Sequence, residues 1–216
     1  MTSILNNVAA LSATRQLGIT NAGLKGTIER LTTGRRINRA ADDAAGLANA
    51  TGYQLEAIYA RETRRTNNQT FFSEQAKDGY LEEATNLVMR AMELVAGGNS
   101  SSSELTSVNS LAVAAAAKAG VTLTSPGTTT ATVTTALGTI NTNRGTIAAA
   151  MATASSNANL FGIEEENKVA QMSSIMDADI GAEVVKLTKW QILSQSGISA
   201  LAQANQSSQS VLALLR

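Results

Sequence analysis

Apolar residues recur at both ends of the chain with the spacing of a narrow helical seam. Most steps are of three, four or seven residues, which place side chains on one face of a helix that pairs with another helix. Chain ends usually fray, so a regular pattern at both ends predicts that they form an assembly seam. The predicted seam contains Ile4, Val8, Leu11, Leu17, Leu24, Ile28 and Leu31 near the N-terminus, and Ile198, Leu201, Leu212 and Leu215 near the C-terminus.

The composition favours thin helices over a bulky globular core. Hydrophobic residues make up 44% of the chain but aromatic residues only 3%. Aromatic side chains usually dominate compact cores, and the single proline, Pro126, leaves long stretches free of helix breakers. The sequence therefore predicts an all-α protein, built as an elongated antiparallel coiled-coil rod.

Charge and residue usage argue against several classes of function. Lys plus Arg and Asp plus Glu are equal at 17 each, so no basic excess is available to neutralise a nucleic-acid backbone. The chain has no Cys and no His, which removes thiol nucleophiles, imidazole bases and the commonest metal ligands. No stretch is long and apolar enough to cross a bilayer, and no cleaved secretory signal is evident. We expect a non-enzymatic protein with no cofactor, no nucleic-acid partner and no membrane insertion.

Helix signals divide the chain into two arms around a small middle. The first segment runs to Thr33, where Gly34 suits the left-handed position that ends a helix. A long helix of about 80 Å follows from Asp42 to Val95, then a shorter one over 104–118, and helical pattern resumes near Leu137. We expect two domains, residues 1–36 with 180–216, and residues 37–179.

Two charged links interrupt this pattern. Arg35, Arg36 and Arg39 lie in one link, and Asp177 and Asp179 lie in the other. We expect these charges to pair with each other or with a neighbouring subunit; an anion site at the arginines is the alternative.

Two further segments carry alternative interpretations. Asp42 and Asp43 fit a helix N-cap, because free N–H groups in the first turn need acceptors; a metal pair is the alternative. The β-branched residues around Ser125-Pro126-Gly127 predict a β-hairpin over 121–135, with a disordered Thr-rich loop as the alternative.

Segments in three regions of the chain resemble the conserved arms of bacterial flagellins. The segment over 31–46 is similar to the signature after the first helix of that family, and the segments over 191–193, 201–206 and 211–216 are similar to its C-terminus. Asp78-Gly79-Tyr80-Leu81 and Arg90-Ala91-Met92-Glu93-Leu94 resemble motifs of its long helix. The resemblance covers roughly the first hundred and the last seventy residues.

The resemblance implies a function for the terminal seams. Flagellins pair their terminal helices as a coiled coil that lines the filament channel, while the next helices form a surrounding shell. They are exported unfolded through the flagellar type III apparatus and polymerise outside the cell. The implied partners are other copies of the chain, the export apparatus, an export chaperone, the filament cap and hook-junction proteins. Another axial protein, such as a hook–filament junction component, is the alternative.

The chain also departs from the usual flagellin pattern. The place of the large variable insertion holds only residues 97–138, so we expect no outer domains. Arg90 and Leu94 fall where many flagellins contact the innate-immune flagellin receptor, but the accompanying acidic residue has no clear match over 108–114.

Overall fold

Five α-helices make up most of the described structure. The computed structural model describes the backbone of residues 7–214 and the side chains of residues 7–207. The helices are α1 (Val8–Thr33), α2 (Ala44–Ala96), α3 (Ser103–Lys118), α4 (Thr130–Met176) and α5 (Ile180–Leu214). Residues 7–214 contain no strand, so the predicted all-α class is confirmed.

The chain divides into two compact units whose boundaries lie inside α2 and α4. The terminal unit contains the described residues up to Gln54 and those from Lys168 onward, and the middle unit contains Leu55–Asn167. The first unit therefore holds α1 and α5, and the second holds α3 with most of α2 and α4.

The ends of α1 follow from its sequence. The Asn7 side chain accepts a hydrogen bond from the backbone N–H of Ala10 at 2.9 Å, which satisfies one free donor of the first turn. At the other end Gly34 has φ of 69°, a left-handed conformation that a side chain disfavours. The predicted end of this helix at Gly34 is confirmed.

The adjacent acidic residues before α2 accept backbone hydrogen bonds. The Asp43 side chain accepts one from Gly46 N–H at 2.8 Å, so it caps a helix that begins at Ala44 rather than at Asp42. The Asp42 carboxylate lies one residue earlier and accepts hydrogen bonds from the N–H groups of Asn38 and Arg39. These two bonds hold the pKa of Asp42 below its usual value.

The middle unit has a core of small and medium aliphatic side chains. Three helices contribute to it, and its fully buried members are Leu81, Ala84 and Val88 of α2, Ala112 and Ala116 of α3, and Val133 and Ile140 of α4. α2 and α4 run antiparallel here, since Arg61 pairs with Glu165 at 2.7 Å and Asp78 with Arg144 at 2.8 Å. Alanine at the contacts lets the helices approach closely, as the low aromatic content suggested.

The predicted β-hairpin is wrong. Residues 121–129 form an irregular segment with no strand, and the second predicted strand is the first turns of α4. The reason is packing: Val133 and Ile140 lie on the same face of α4 and are both fully buried, while Val121 and Leu123 cover the same core. Thr129 and Thr132 also exchange hydrogen bonds at the helix start. Tertiary burial and a cap therefore override β-propensity.

Candidate assembly surface

α1 and α5 form an antiparallel pair in the terminal unit. Four contacts along their length run in opposite directions on the two helices. The Asn7 amide donates to the Ala204 carbonyl at 3.0 Å, Leu17 lies against Gly197, Gly23 lies against Trp190, and Arg30 pairs with Glu183 at 3.2 Å. The two chain ends are thus partners, as the seams predicted.

Buried and half-buried residues define the seam between the two helices. They follow alternating steps of three and four, the spacing of a coiled coil. The α1–α5 seam contains Ala13, Leu17, Thr20, Leu24, Thr27 and Leu31 on α1, and Glu183, Leu187, Trp190, Ser194, Gly197, Leu201 and Ala204 on α5. Small and polar residues therefore fill much of it.

Only some residues of the predicted seam lie between α1 and α5, and others are exposed. Leu17, Leu24, Leu31 and Leu201 lie in the α1–α5 seam, whereas Val8, Leu11, Ile28 and Ile198 are exposed. Ile4 and Leu215 lie outside the described residues, and Leu212 lies in the part of α5 whose side chains are not described. Apolar spacing missed the buried Thr20 and Thr27, although they continue the three-four steps between the three leucines.

Gly23 of α1 lies against the Trp190 ring of α5. A Cβ added to Gly23 would lie 2.7 Å from Cε2 of the indole ring. Because real Cβ atoms do not come this close to another heavy atom, glycine is the residue that leaves room for the ring in this position.

A buried carboxylate forms the main polar contact of the seam. Glu183 is 5% exposed, and its Oε1 lies 3.2 Å from Arg30 Nε and 2.7 Å from Lys186 Nζ. Burial of the carboxylate raises its pKa, but the hydrogen bond from Lys186 and the ion pair with Arg30 outweigh it, so the pKa of Glu183 lies below its ordinary value of 4.5. The ionised form is therefore the one that the folded unit stabilises.

We expect acid to weaken the α1–α5 pair through Glu183. Because the pKa is lower in the folded state, the stabilisation is present above the unfolded pKa of about 4.5 and is lost as pH falls through the folded pKa. Trp190 is the only tryptophan, so its fluorescence during urea unfolding between pH 6 and pH 3 measures the effect. Glu183→Gln should flatten this pH dependence, and an unchanged pH profile in that variant would contradict the assignment.

The two charged links meet through their backbones. Arg35 and Asp177 form an isolated antiparallel bridge, Arg36 N–H donates to the Met176 carbonyl at 2.6 Å, and Ala178 N–H donates to the Gly34 carbonyl at 2.9 Å. These bonds join the end of α1 to the turn between α4 and α5.

The arginine side chains of one link do not pair with the aspartate side chains of the other link in the contacts described. The Arg36 guanidinium donates to the Ile175 carbonyl and Arg39 forms a bidentate pair with Glu29. Asp177 accepts from the Ser173 hydroxyl, and Asp179 accepts from Ala182 N–H at the start of α5. Backbone pairing rather than charge pairing therefore brings the links together.

Large apolar side chains remain exposed on both helices outside the seam. They are between 38% and 72% exposed. We call them the outer apolar surface; its members are Val8, Leu11, Ile19 and Ile28 on α1, and Ile180, Val184, Val185, Ile192, Leu193 and Ile198 on α5. Val185, Ile192 and Leu193 also line a shallow groove with Thr188 and Lys189. Val185, Ile192 and Leu193 are neighbours around this groove, and neighbouring exposed apolar residues mark interaction surfaces.

The residues at the position of the flagellin-receptor contact are engaged within the middle unit. The Arg90 guanidinium pairs with Glu104 at 2.7 Å and with Glu93 at 3.1 Å. Leu94 is 7% exposed and packs with Ala91 and Leu105. Leu94 is thus a core residue of this unit rather than an exposed side chain.

Comparison with known proteins gives the same family at both ends of the chain. Residues 4–118 match the bacterial flagellin N-terminal helical region and residues 130–215 match the bacterial flagellin C-terminal helical region. Only residues 119–129, which follow α3, lie between the two matches. Among the described residues, no helix is long and apolar enough to cross a membrane.

Two Treponema relatives align over nearly the whole chain, and a third relative aligns over less than half of it. The flagellar filament 30.7 kDa core protein of Treponema maltophilum is 29% identical, over 98% of this chain and 99% of that protein. Flagellin FlaB1 of Treponema pallidum is 29% identical, over 99% of both. The B-type flagellin of Pseudomonas aeruginosa is 35% identical over 43% of this chain and 19% of its own length.

Proposed function

The chain belongs to the bacterial flagellin family, and we propose that it polymerises through α1 and α5 as a structural subunit of the extracellular flagellar filament. The observation that carries the proposal is the outer apolar surface. The pairing of α1 with α5 leaves these side chains exposed, and a second copy of the chain supplies the apolar cover that they lack. Filament formation for motility is a structural role and requires no catalytic site.

In this proposal, the subunit has the two layers of other flagellins, an inner domain that lines the channel and a shell around it. Residues 1–36 with 180–216 form the inner, channel-lining domain, and residues 37–179 form the surrounding shell. A polymer requires contacts between different surfaces of successive copies, since a contact between identical surfaces closes a dimer. The outer apolar surface fits this requirement because α1 and α5 each carry their own exposed residues.

In this proposal, exposed charges in and near the two links contact neighbouring subunits. Arg35, Asp42 and Asp179 are exposed, so their charges can contact neighbouring subunits while the two carboxylates also accept backbone hydrogen bonds within the subunit. Export as an unfolded chain through the flagellar type III apparatus, with a chaperone before assembly and a cap protein during it, completes the proposal. The names of the relatives, which are filament core proteins and flagellins, favour this role over that of a junction component.

A polar substitution in the outer apolar surface tests the proposal. Ile19→Asn replaces a side chain that is 55% exposed, so the subunit should fold as before. We expect the concentration needed for filaments to rise about tenfold or more, which corresponds to about 1.4 kcal/mol of association free energy, because the apolar area of Ile19 is no longer buried between copies. Sedimentation and electron microscopy of the assembled protein measure this concentration.

A matched substitution on the same helix serves as the control. Thr14→Asn changes a residue that is exposed and already polar, so filaments should form at the normal concentration. Normal assembly of Ile19→Asn would show that the outer apolar surface is not the contact between copies.

A further inference from the structure

The α1 side of the α1–α5 seam repeats itself. Leu17 and Thr20 recur seven residues later as Leu24 and Thr27, and Leu31 follows at the next interval. Sliding α1 by seven residues along α5 therefore replaces leucine by leucine and threonine by threonine. These side chains hold the helices together but do not distinguish one register from the next.

Two contacts of the seam do not repeat. Gly23 faces Trp190 and Arg30 faces Glu183, and within each helix the two positions are seven residues apart. A slip of seven residues in one direction places Trp190 against Arg30, and a slip in the other places Glu183 against Gly23. Either slip takes Arg30 away from a carboxylate that is 5% exposed, which is costly for a buried charge.

The ion pair between Lys186 and Glu183 does not depend on the register of α1 and α5. Lys186 pairs with Glu183 at 2.7 Å but lies on α5 itself, three residues away, so its ion pair moves with the carboxylate in every register. Arg30 lies on the other helix and is the charge that depends on the register. Glu183 Oε2 and Arg30 Nε are each buried without a hydrogen-bond partner, so the two side chains meet as a close charge pair rather than through an aligned hydrogen bond.

We propose that Glu183 with Arg30, and Trp190 with Gly23, form a register lock that selects one among otherwise similar pairings of α1 and α5. Since the outer apolar surface contains residues of both helices, the lock also decides which of them lie side by side. That second consequence rests on the proposed function, whereas the lock itself does not. The lock thereby makes Arg30 and Glu183 positioning residues for assembly.

Engineered disulfides measure the register directly, because the chain has no cysteine of its own. In the full-length chain, Leu17→Cys with Gly197→Cys reports the observed register, since Leu17 Cδ1 lies 3.2 Å from the Cβ position of residue 197. Leu24→Cys with Gly197→Cys and Ala10→Cys with Gly197→Cys report slips of seven residues in the two directions. Each pair is combined with Arg30→Glu, with Glu183→Arg, and with both.

Charge reversal should change which disulfide forms. In Arg30→Glu we expect the native disulfide to fall by about tenfold, as for a buried charge that loses its partner. The double variant Arg30→Glu/Glu183→Arg should restore it. Lys186→Glu, a reversal on α5 alone, serves as the matched control and should leave the native disulfide as the main product.

The outcomes separate the lock from the proposed function. A native disulfide at wild-type yield in Arg30→Glu would overturn the lock, and so would a double variant that fails to restore it, including one in which no disulfide forms. Filament formation is measured separately on the cysteine-free chain. A chain that shows the lock but forms no filaments would overturn the proposed function and leave the lock standing.

Discussion

Gly23→Ala is expected to destabilise the α1–α5 pair by about 2 kcal/mol, in the range of overpacked contacts. The added methyl group would lie 2.7 Å from the Trp190 ring, so either the ring or the helix must move. Urea unfolding followed by Trp190 fluorescence measures the loss of stability, and sedimentation measures the accompanying decrease in filaments. If filaments assemble through the α1–α5 pair as proposed, both should change together.

Gly18→Ala is the matched control, on the same helix and in open space. Nothing lies within 4 Å of its added Cβ, so the substitution should stabilise α1 by about 0.5–1 kcal/mol through backbone entropy alone. The two glycine variants are thus expected to change stability in opposite directions. A stabilising Gly23→Ala would mean that the indole does not lie against α1.

Leu81→Ala is expected to lower the unfolding free energy of the middle unit by about 3 kcal/mol. Leu81 is fully buried in a core whose neighbours are mainly alanine and valine, so few large side chains are available to fill the cavity. The change in the urea midpoint of the helical circular-dichroism signal measures it. We expect the Trp190 signal to change much less, since that residue reports the terminal unit.

Leu111→Ala removes the same atoms from an exposed position and serves as the control. Leu111 is 56% exposed on α3, so its truncation should change stability by about 0.5 kcal/mol or less. Equal effects of the two variants would contradict the core described for the middle unit.

Local signals in the sequence located most helix ends. Gly34 ends α1 in a left-handed conformation, and the acidic pair precedes α2, because both positions obey rules that act within a few residues. The same local rules gave the wrong prediction for residues 130–135, which form the first turns of α4. Their threonines and valine favour a strand in isolation, but Val133 and Ile140 bury the same face of a helix in the core.

The sequence also predicted that the two ends of the chain carry a helical seam. It did not predict which apolar residues lie in the α1–α5 seam and which are exposed. Spacing placed Leu17 and Val8 in one seam, whereas Leu17 packs against α5 and Val8 is 67% exposed. Side chains on two faces of one helix give overlapping apolar patterns, and only the partner helix separates them. Thr20 and Thr27 were missed because a threonine in a seam carries no hydrophobic signal.

Residue types and their spacing along one chain are sufficient to predict that this flagellin is helical and that both of its ends carry apolar stripes. The tertiary structure alone decided that Gly23 meets Trp190, that Arg30 meets Glu183, and that the charged links meet through Arg36 and Met176 backbone atoms. These contacts join residues more than one hundred positions apart. Their geometry follows from the register of two packed helices, which spacing within either helix does not contain.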